Sequence, residues 1–294
     1  MAEPLIGIGL PVYNGEPFLT RSLDSLMAQS ETDFELVIGD NCSTDGTEEI
    51  CRELARKDER VTYLRRERNI GVLANHNRLI HETRGEFFSF ASSDDEYHPD
   101  RLAELSAALR AQPDAVLAFS AAEEIDENGD VLRVWRNSIR TDHPSPVVRM
   151  RAKLADPEEN LQLYGLIRRS AMERVRPQAP FKGSDRVTIV ELALLGPFVA
   201  VDEPLLRHRQ HTRRMSEVVD SRAYRLREQG TERRFYLPNV EEGVFLLRGV
   251  GQAPLNRSER LRGYVSLWPW VWRNTLPMAR NVAHVGLDVL GRRR

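Results

Sequence analysis

Along roughly the first 120 residues, apolar clusters of two kinds alternate. Short runs at Leu5–Leu10, Phe34–Ile38, Val61–Leu64, Glu86–Ala91 and Ala115–Ser120 have the length and composition of buried strands. Between them, apolar residues recur at helical spacing. Leu19, Leu23, Leu26 and Met27 fall at i, i+4, i+7 and i+8 and make one apolar face. Ile50 and Leu54 mark a second helix, and Leu102, Leu105 and Leu109 a further one. Repeated strand–helix units predict an α/β domain, with a mainly parallel sheet flanked by helices. In such sheets ligands bind outside the carboxyl ends of the strands.

After Phe119 the pattern changes. Glu123–Trp135 reads as a hairpin turning at Glu127-Asn128-Gly129-Asp130. Residues 136–160 are charged and carry Pro144, Pro146 and Pro157, which predicts a variable, mobile segment. A short strand (Leu163–Arg168), a helix (Asp185–Leu195) and a strand (Phe198–Val201) follow. Beyond Met215 the α/β order is lost. The expected division is therefore residues 1–215, in halves 1–120 and 121–215, and a helical extension at 216–294.

The 294 residues contain 41% hydrophobic side chains, enough for a proper core. A net charge of −2 argues against a nucleic-acid partner. Two cysteines, Cys42 and Cys51, make no disulfide framework and fit a reducing, cytoplasmic setting. The start, MAEP running into LIGIGL, has no pattern of a secretory signal, and no apolar run is long enough to span a membrane.

The candidate chemistry sits at strand ends. Phe87, Phe88, Phe90 and Ala91 give way to serines and then to Asp94-Asp95, with Pro99 placed for the first turn of a helix. Two carboxylates at a sheet edge suit a hard cation, Mg²⁺ or Mn²⁺, of the kind that also holds phosphates. After the first strand comes Pro11-Val12-Tyr13-Asn14-Gly15, where Tyr13 offers a face for a base and Asn14 an amide. After the second comes Gly39–Thr47, where Asp40 could accept from the imide N–H of uracil or thymine, and Thr44 or Asp45 could cap the next helix. Asn69-Ile70-Gly71, with Asn75 and Asn77, follows the third strand and could contact sugar hydroxyls or phosphate, or simply form caps and turns.

The succession PVYNG, DNCSTDGT, NIGVLANHN, SSDD and HPDRL resembles glycosyltransferase family 2, strongly over about residues 4–120 and usably to about 217. The resemblance implies the GT-A fold, a nucleotide-sugar donor, a divalent cation and inversion at the anomeric carbon. Carried onto this chain, Pro11, Tyr13 and Asp40 would hold the nucleoside. Asn14, Asn69, Asn77, Ser93 and Asp94 would complete the donor site, and Asp94 and Asp95 would form the metal and diphosphate motif, Asp94 first. Many members carry an acid where this chain has Ser92. The resemblance also places a general base at the start of a helix in the second half, which falls on Asp185, where the commoner Glu before it is Ser184. Arg209 and His211 match an Arg-x-His pattern, His211 toward the metal or the diphosphate and Arg209 toward phosphate.

The resemblance implies transfer from a nucleotide-sugar, with Asp40 pointing to a UDP- or dTDP-sugar, to the hydroxyl of a sugar, lipid-linked or small-molecule acceptor, in cell-surface polysaccharide, glycolipid or glycosylated-metabolite synthesis. A nucleotidyltransferase would want a basic, Gly-rich loop after the first strand, and Pro11–Gly15 has no Lys or Arg. A catalytically silent sugar-nucleotide-binding scaffold is the other rival, kept open by Ser92 and Ser184. The segment 264–294 holds Trp268, Trp270, Trp272 and Arg292–Arg294. It fits packing on the domain or a second copy somewhat better than peripheral contact with the inner face of a membrane. Pro269 and Pro277 are expected to break any long helix there.

Overall fold

A computed structural model describes residues 3–156, 160–211 and 237–291. Its strands are β1 (Ile6–Val12), β2 (Phe34–Asp40), β3 (Val61–Arg65), β4 (Phe87–Phe90), β5 (Glu96–Tyr97), β6 (Leu117–Ile125), β7 (Val131–Trp135), β8 (Leu166–Arg168) and β9 (Phe198–Arg209). The helices are α1 (Glu16–Met27), α2 (Thr47–Lys57), α3 (Val72–Glu82), α4 (Arg101–Ala111), α5 (Pro146–Ala155), α6 (Arg169–Met172), α7 (Ser184–Leu195), α8 (Pro238–Gln252), α9 (Arg257–Ser266) and α10 (Trp268–Gly291).

The sheet runs β3-β2-β1-β4-β8-β6-β9-β5, with β7 beside β6. The first half is parallel throughout: β1 pairs with β2 and β4, and β2 with β3. The short strand β8 joins the halves, antiparallel to both β4 and β6. Beyond it β6 and β9 are parallel. Helices packed on the sheet bury Leu19, Leu23 and Leu26 of α1 and Leu102, Leu105 and Leu109 of α4, as their spacing predicts. The hairpin also forms: Asp126 Oδ1 accepts from the backbone N–H groups of Asn128, Gly129 and Asp130, and Gly129 supplies a positive φ of 100°.

Three expectations need correction. The segment 136–160 is not a loop throughout, because α5 starts with Pro146 in its first turn and buries Met150, Lys153 and Leu154. The last strand does not stop at Val201. Its pairing with β6 slips around Pro204, where a register shift tolerates the missing N–H, and then continues to Arg209. The C-terminal segment forms a helix running from Trp268 to Gly291 with Pro277 inside it.

Two cores result. The first lies on the sheet. The second joins Met150 and Leu154 of α5, Val187, Val190 and Leu194 of α7, Leu246 and Val250 of α8, and Leu267 and Trp270. Helix α7 is buried all round, with Ile189, Leu192 and Ala193 in the first core. The expected boundary at 215/216 falls outside the described residues, but the helices that follow share a core with α5 and α7.

Candidate active site

A cavity of about 1290 Å³ opens above the carboxyl ends of β1 and β4. Pro11, Tyr13 and Asn14 line it from β1, and Tyr13 is 41% exposed. Asn14 sits at φ 54°, a conformation its short amide tolerates. Its Oδ1 accepts from the Thr44 N–H at 2.8 Å, and its own N–H donates to Ser43 Oγ at 2.9 Å. The first two strand-end loops are thereby tied together.

Asp40 does not line the cavity. It is fully buried, accepting from the Ser43 N–H and hydroxyl through Oδ1, and from Tyr63 and Arg65 through Oδ2. Burial, and then the Asp40 carboxylate, push the Tyr63 hydroxyl up, which keeps it a donor. In this geometry Asp40 organises the loop that flanks the cavity and does not reach its wall, where the expectation had it accept from a base. Asp45, rather than Thr44, receives the Thr47 N–H at the start of α2. Asn41 and Asn69 both line the cavity and bond one another at 2.9 Å. Asn77 lies away from it, paired through both amide atoms with the backbone of Gln178.

The acidic pair divides. Ser93 and Asp94 line the cavity. Asp95 points the other way and is fully buried, accepting from the Arg209 N–H at 2.9 Å with His208 Nδ1 at 3.0 Å. Asp95 is therefore an anchor to β9 and not a metal ligand in this arrangement. Arg209 is likewise fully buried. It holds the backbone carbonyls of Asp94, Asp126 and Glu127, ion-pairs with Glu96 and stacks on Phe18, so it has no face toward a phosphate. His211 does line the cavity, its Nε2 2.8 Å from Asp94 Oδ2. Ser92 donates its hydroxyl to Asp94 Oδ1. Burial alone would raise the Asp94 carboxyl, but the hydrogen bonds from His211 and Ser92 outweigh it and hold it below the usual carboxylate range. The Ser92 hydroxyl thus helps keep Asp94 ionised.

Asp185 stands on the second-half wall of the cavity, in the first turn of α7. Gly183 at φ 95° delivers it, a backbone conformation that side chains other than glycine's strain to adopt. Asn160 Nδ2 donates to Asp185 Oδ2 at 2.7 Å. Arg186, Lys182, Phe181, His76, His208 and Glu242 also line this cavity and were given no role from the sequence. His76 lies within NIGVLANHN, His208 beside Arg209, and Phe181, Lys182 and Arg186 around Asp185. Glu242 comes from α8, beyond the region of resemblance, and no local pattern marks it. It is 2% exposed and pairs with Arg186, and burial pushes its carboxyl up against that arginine's pull.

The sequence matches the family model described as Glycosyl transferase family 2 over residues 8–176, more than half of the chain. A Bacillus subtilis protein named for teichuronic acid biosynthesis, TuaG, is 32% identical over 100 residues, covering 34% of this chain and 40% of TuaG. The chain spans about half, or less, of the length of TuaG and two other curated relatives, and 67% of a Bacillus subtilis relative, EpsH, at 27% identity. Among solved structures, S. aureus TarS in complex with UDP superposes with a TM-score of 0.64 at 17% identity, over 87% of this chain and 68% of that one. The mannosyltransferase PcManGT of Pyrobaculum calidifontis, in complex with GDP-Man and Mn²⁺, gives 0.53 at 19% identity, over 99% and 81%. The fold is of the GT-A type, and the chain belongs to glycosyl transferase family 2.

Proposed function

We propose that this chain moves a sugar from a nucleotide-diphosphate donor to an acceptor hydroxyl, with inversion at the anomeric carbon. One observation carries the reading: a single cavity holds the ionised Asp94 beside His211 on one wall and Asp185, at the head of α7, on another. Tyr13 and the asparagines at 14, 41 and 69 offer the nucleoside an aromatic face and amides. The acceptor hydroxyl forms a bond to the anomeric carbon as the bond to the diphosphate oxygen breaks. The electron pair leaves with the diphosphate, and the proton passes to the Asp185 carboxylate. Asn160 orients that carboxylate, and the cavity fixes the in-line approach.

A divalent cation fits the donor set. Among the described residues there is no cluster of three or more acidic, His or Cys side chains that would cage an ion. One carboxylate and one imidazole facing the cavity leave most positions of a Mg²⁺ or Mn²⁺ to phosphate oxygens and water, as such ions prefer. When bound at Asp94 and His211, the ion would offset the charge growing on the departing diphosphate. Relatives such as TuaG make a cell-surface polysaccharide or glycolipid the favoured acceptor class.

With Asp40 withdrawn from the wall, the pocket supplies no argument for a uracil or thymine over guanine. The test is calorimetric titration with UDP, dTDP and GDP, with and without Mn²⁺, followed by the Asp185→Asn variant. Metal-dependent binding of one diphosphate, with turnover of its sugar donor reduced by roughly 10²–10⁴-fold in Asp185→Asn and donor affinity kept, is the expected result. Binding without turnover of any donor would favour the silent scaffold. Unchanged turnover in the variant would remove Asp185 from the role.

A further inference from the structure

Helices α9 and α10 are joined by Leu267 alone, whose own backbone is helical at φ −77° and ψ −16°. The two therefore form one nearly continuous rod from Arg257 to Gly291. One side of it faces the protein. Gly263, Leu267 and Trp270 are buried, and Asn274 Oδ1 accepts from Asn239 Nδ2 at 3.1 Å. The opposite side carries Leu261, Val265, Trp268, Trp272 and Leu276, at steps of four, three, four and four. That spacing is a single helical face. Their exposures are 65%, 66%, 65%, 72% and 61%, so this stripe is bare.

Beyond Glu259, which is engaged with Asn256 in the cap of α9, the charges beside the stripe have one sign. From Arg260 to Ala283 the charged residues are Arg260, Arg262, Arg273 and Arg280, with no Asp or Glu. Arg262 and Arg280 are exposed, and Arg273, also exposed, donates through Nη2 to the Leu154 carbonyl at 2.9 Å. We infer that this face docks on an anionic lipid bilayer, with the rod lying in the plane of the interface. Indoles favour the headgroup level, and arginines beside an apolar stripe pair with anionic headgroups. A second copy of the chain suits the face less well. A two-fold contact would set this arginine-only stretch against itself, with no acid within it to answer. No helix among the described residues is long and apolar enough to cross a membrane, so the contact is with the surface. Because α8 supplies Asn239 and Glu242 to the cavity and is tied to α10, docking would hold the cavity mouth at a fixed height above the lipid.

The inference stands apart from the transferase reading, and its test needs no turnover. The full chain is floated with vesicles of phosphatidylcholine alone and with vesicles also containing phosphatidylglycerol, at low and high salt. Wild-type protein should float with the anionic vesicles, less so at high salt, and weakly with the neutral ones. Trp268→Ser combined with Trp272→Ser should lower partitioning by roughly tenfold or more. Arg262→Gln with Arg280→Gln should reduce the anionic preference to the neutral level. All four side chains are exposed, so melting curves should match wild type and exclude misfolding. Failure of the wild type to float with anionic vesicles at low salt, or flotation indifferent to both double variants, overturns the inference. So does a concentration-dependent dimer, without lipid binding, that the tryptophan substitutions dissolve.

Discussion

Replacing Trp270 by alanine tests whether the C-terminal helices are part of the catalytic body. Trp270 is 2% exposed and sits among Phe245, Leu246, Val250 and Leu267 in the second core. It lies so close to α8 that a Cβ on Gly243 would meet its ring at 3.1 Å. An indole buries on the order of 200 Å², which at about 25 cal/mol per Å² corresponds to about 5 kcal/mol. Measured Trp→Ala costs run about 3–5 kcal/mol, because neighbours collapse partly into the space. Met278, flexible and also against Gly243, can move inward, so a loss of about 3–4 kcal/mol is expected. Urea unfolding followed by far-UV circular dichroism measures it, since tryptophan fluorescence changes with the substitution itself. Amide exchange should accelerate in α5, α7 and α8, which share that core, and much less in β1–β3. Trp272→Ala, at 72% exposure, should stay within about 0.5 kcal/mol of wild type. A Trp270→Ala loss below about 1 kcal/mol, with exchange in α7 unchanged, would mean that α10 is not docked and that the second core is wrongly drawn.

Two further outcomes follow from Asp40, which is buried, and His76, which is half-buried at the cavity wall. Asp40→Asn keeps the shape but loses the charge and turns one acceptor into a donor facing Ser43 or Tyr63 and Arg65; a stability loss of about 2–4 kcal/mol and a uniform weakening of all nucleotides are expected. A change of base preference at unchanged stability would instead return Asp40 to the base. His76 packs on Phe90 at 5.1 Å, and its burial lowers its pKa below 6.5, partly offset by its bond to the Val72 carbonyl and by Asp185. As pH falls below 6.5 the unfolded chain takes up this proton before the folded one, so stability must fall there. His76→Gln should flatten the urea midpoint between about pH 7.5 and about pH 5.5, and an identical slope in both proteins would refute the assignment.

The parallel half of the sheet was legible because β1, β2 and β4 are apolar runs and the stripes of α1, α2 and α4 have helical spacing; α3, rich in asparagine and histidine, gave no such stripe. The second half was less so. The slip around Pro204 hides the last five residues of β9, since a proline preceded by two acids reads as the end of a strand. Helix α5 was masked by two prolines, one of which opens it. Pro277 lies inside α10, where local rules predict a break, and tertiary packing through Trp270 and Asn274 overrides them. One residue missed at the site has a long-range cause. Glu242 reaches the cavity only because α8 packs on α7, a contact between positions 56 residues apart at its Arg186 pair.

Asp94 and Asp95 show what a motif does and does not disclose. Ser93 and Asp94 lie in a bend between β4 and β5, where no fixed alternation sets the side to which each side chain points. Here the bend gives Asp94 to the cavity and Asp95 to the His208–Arg209 strand end. The same strand end brings His211 back to Asp94. Asp95 and Arg209 therefore serve the site by holding Asp94 and His211 in register across the sheet, not by touching a ligand. A substitution at either should lower metal-dependent donor binding through Asp94 placement, with a matching loss of stability that substitution of Asp94 itself would not show. That coupling distinguishes an anchor from a ligand, and the order of residues in the motif does not.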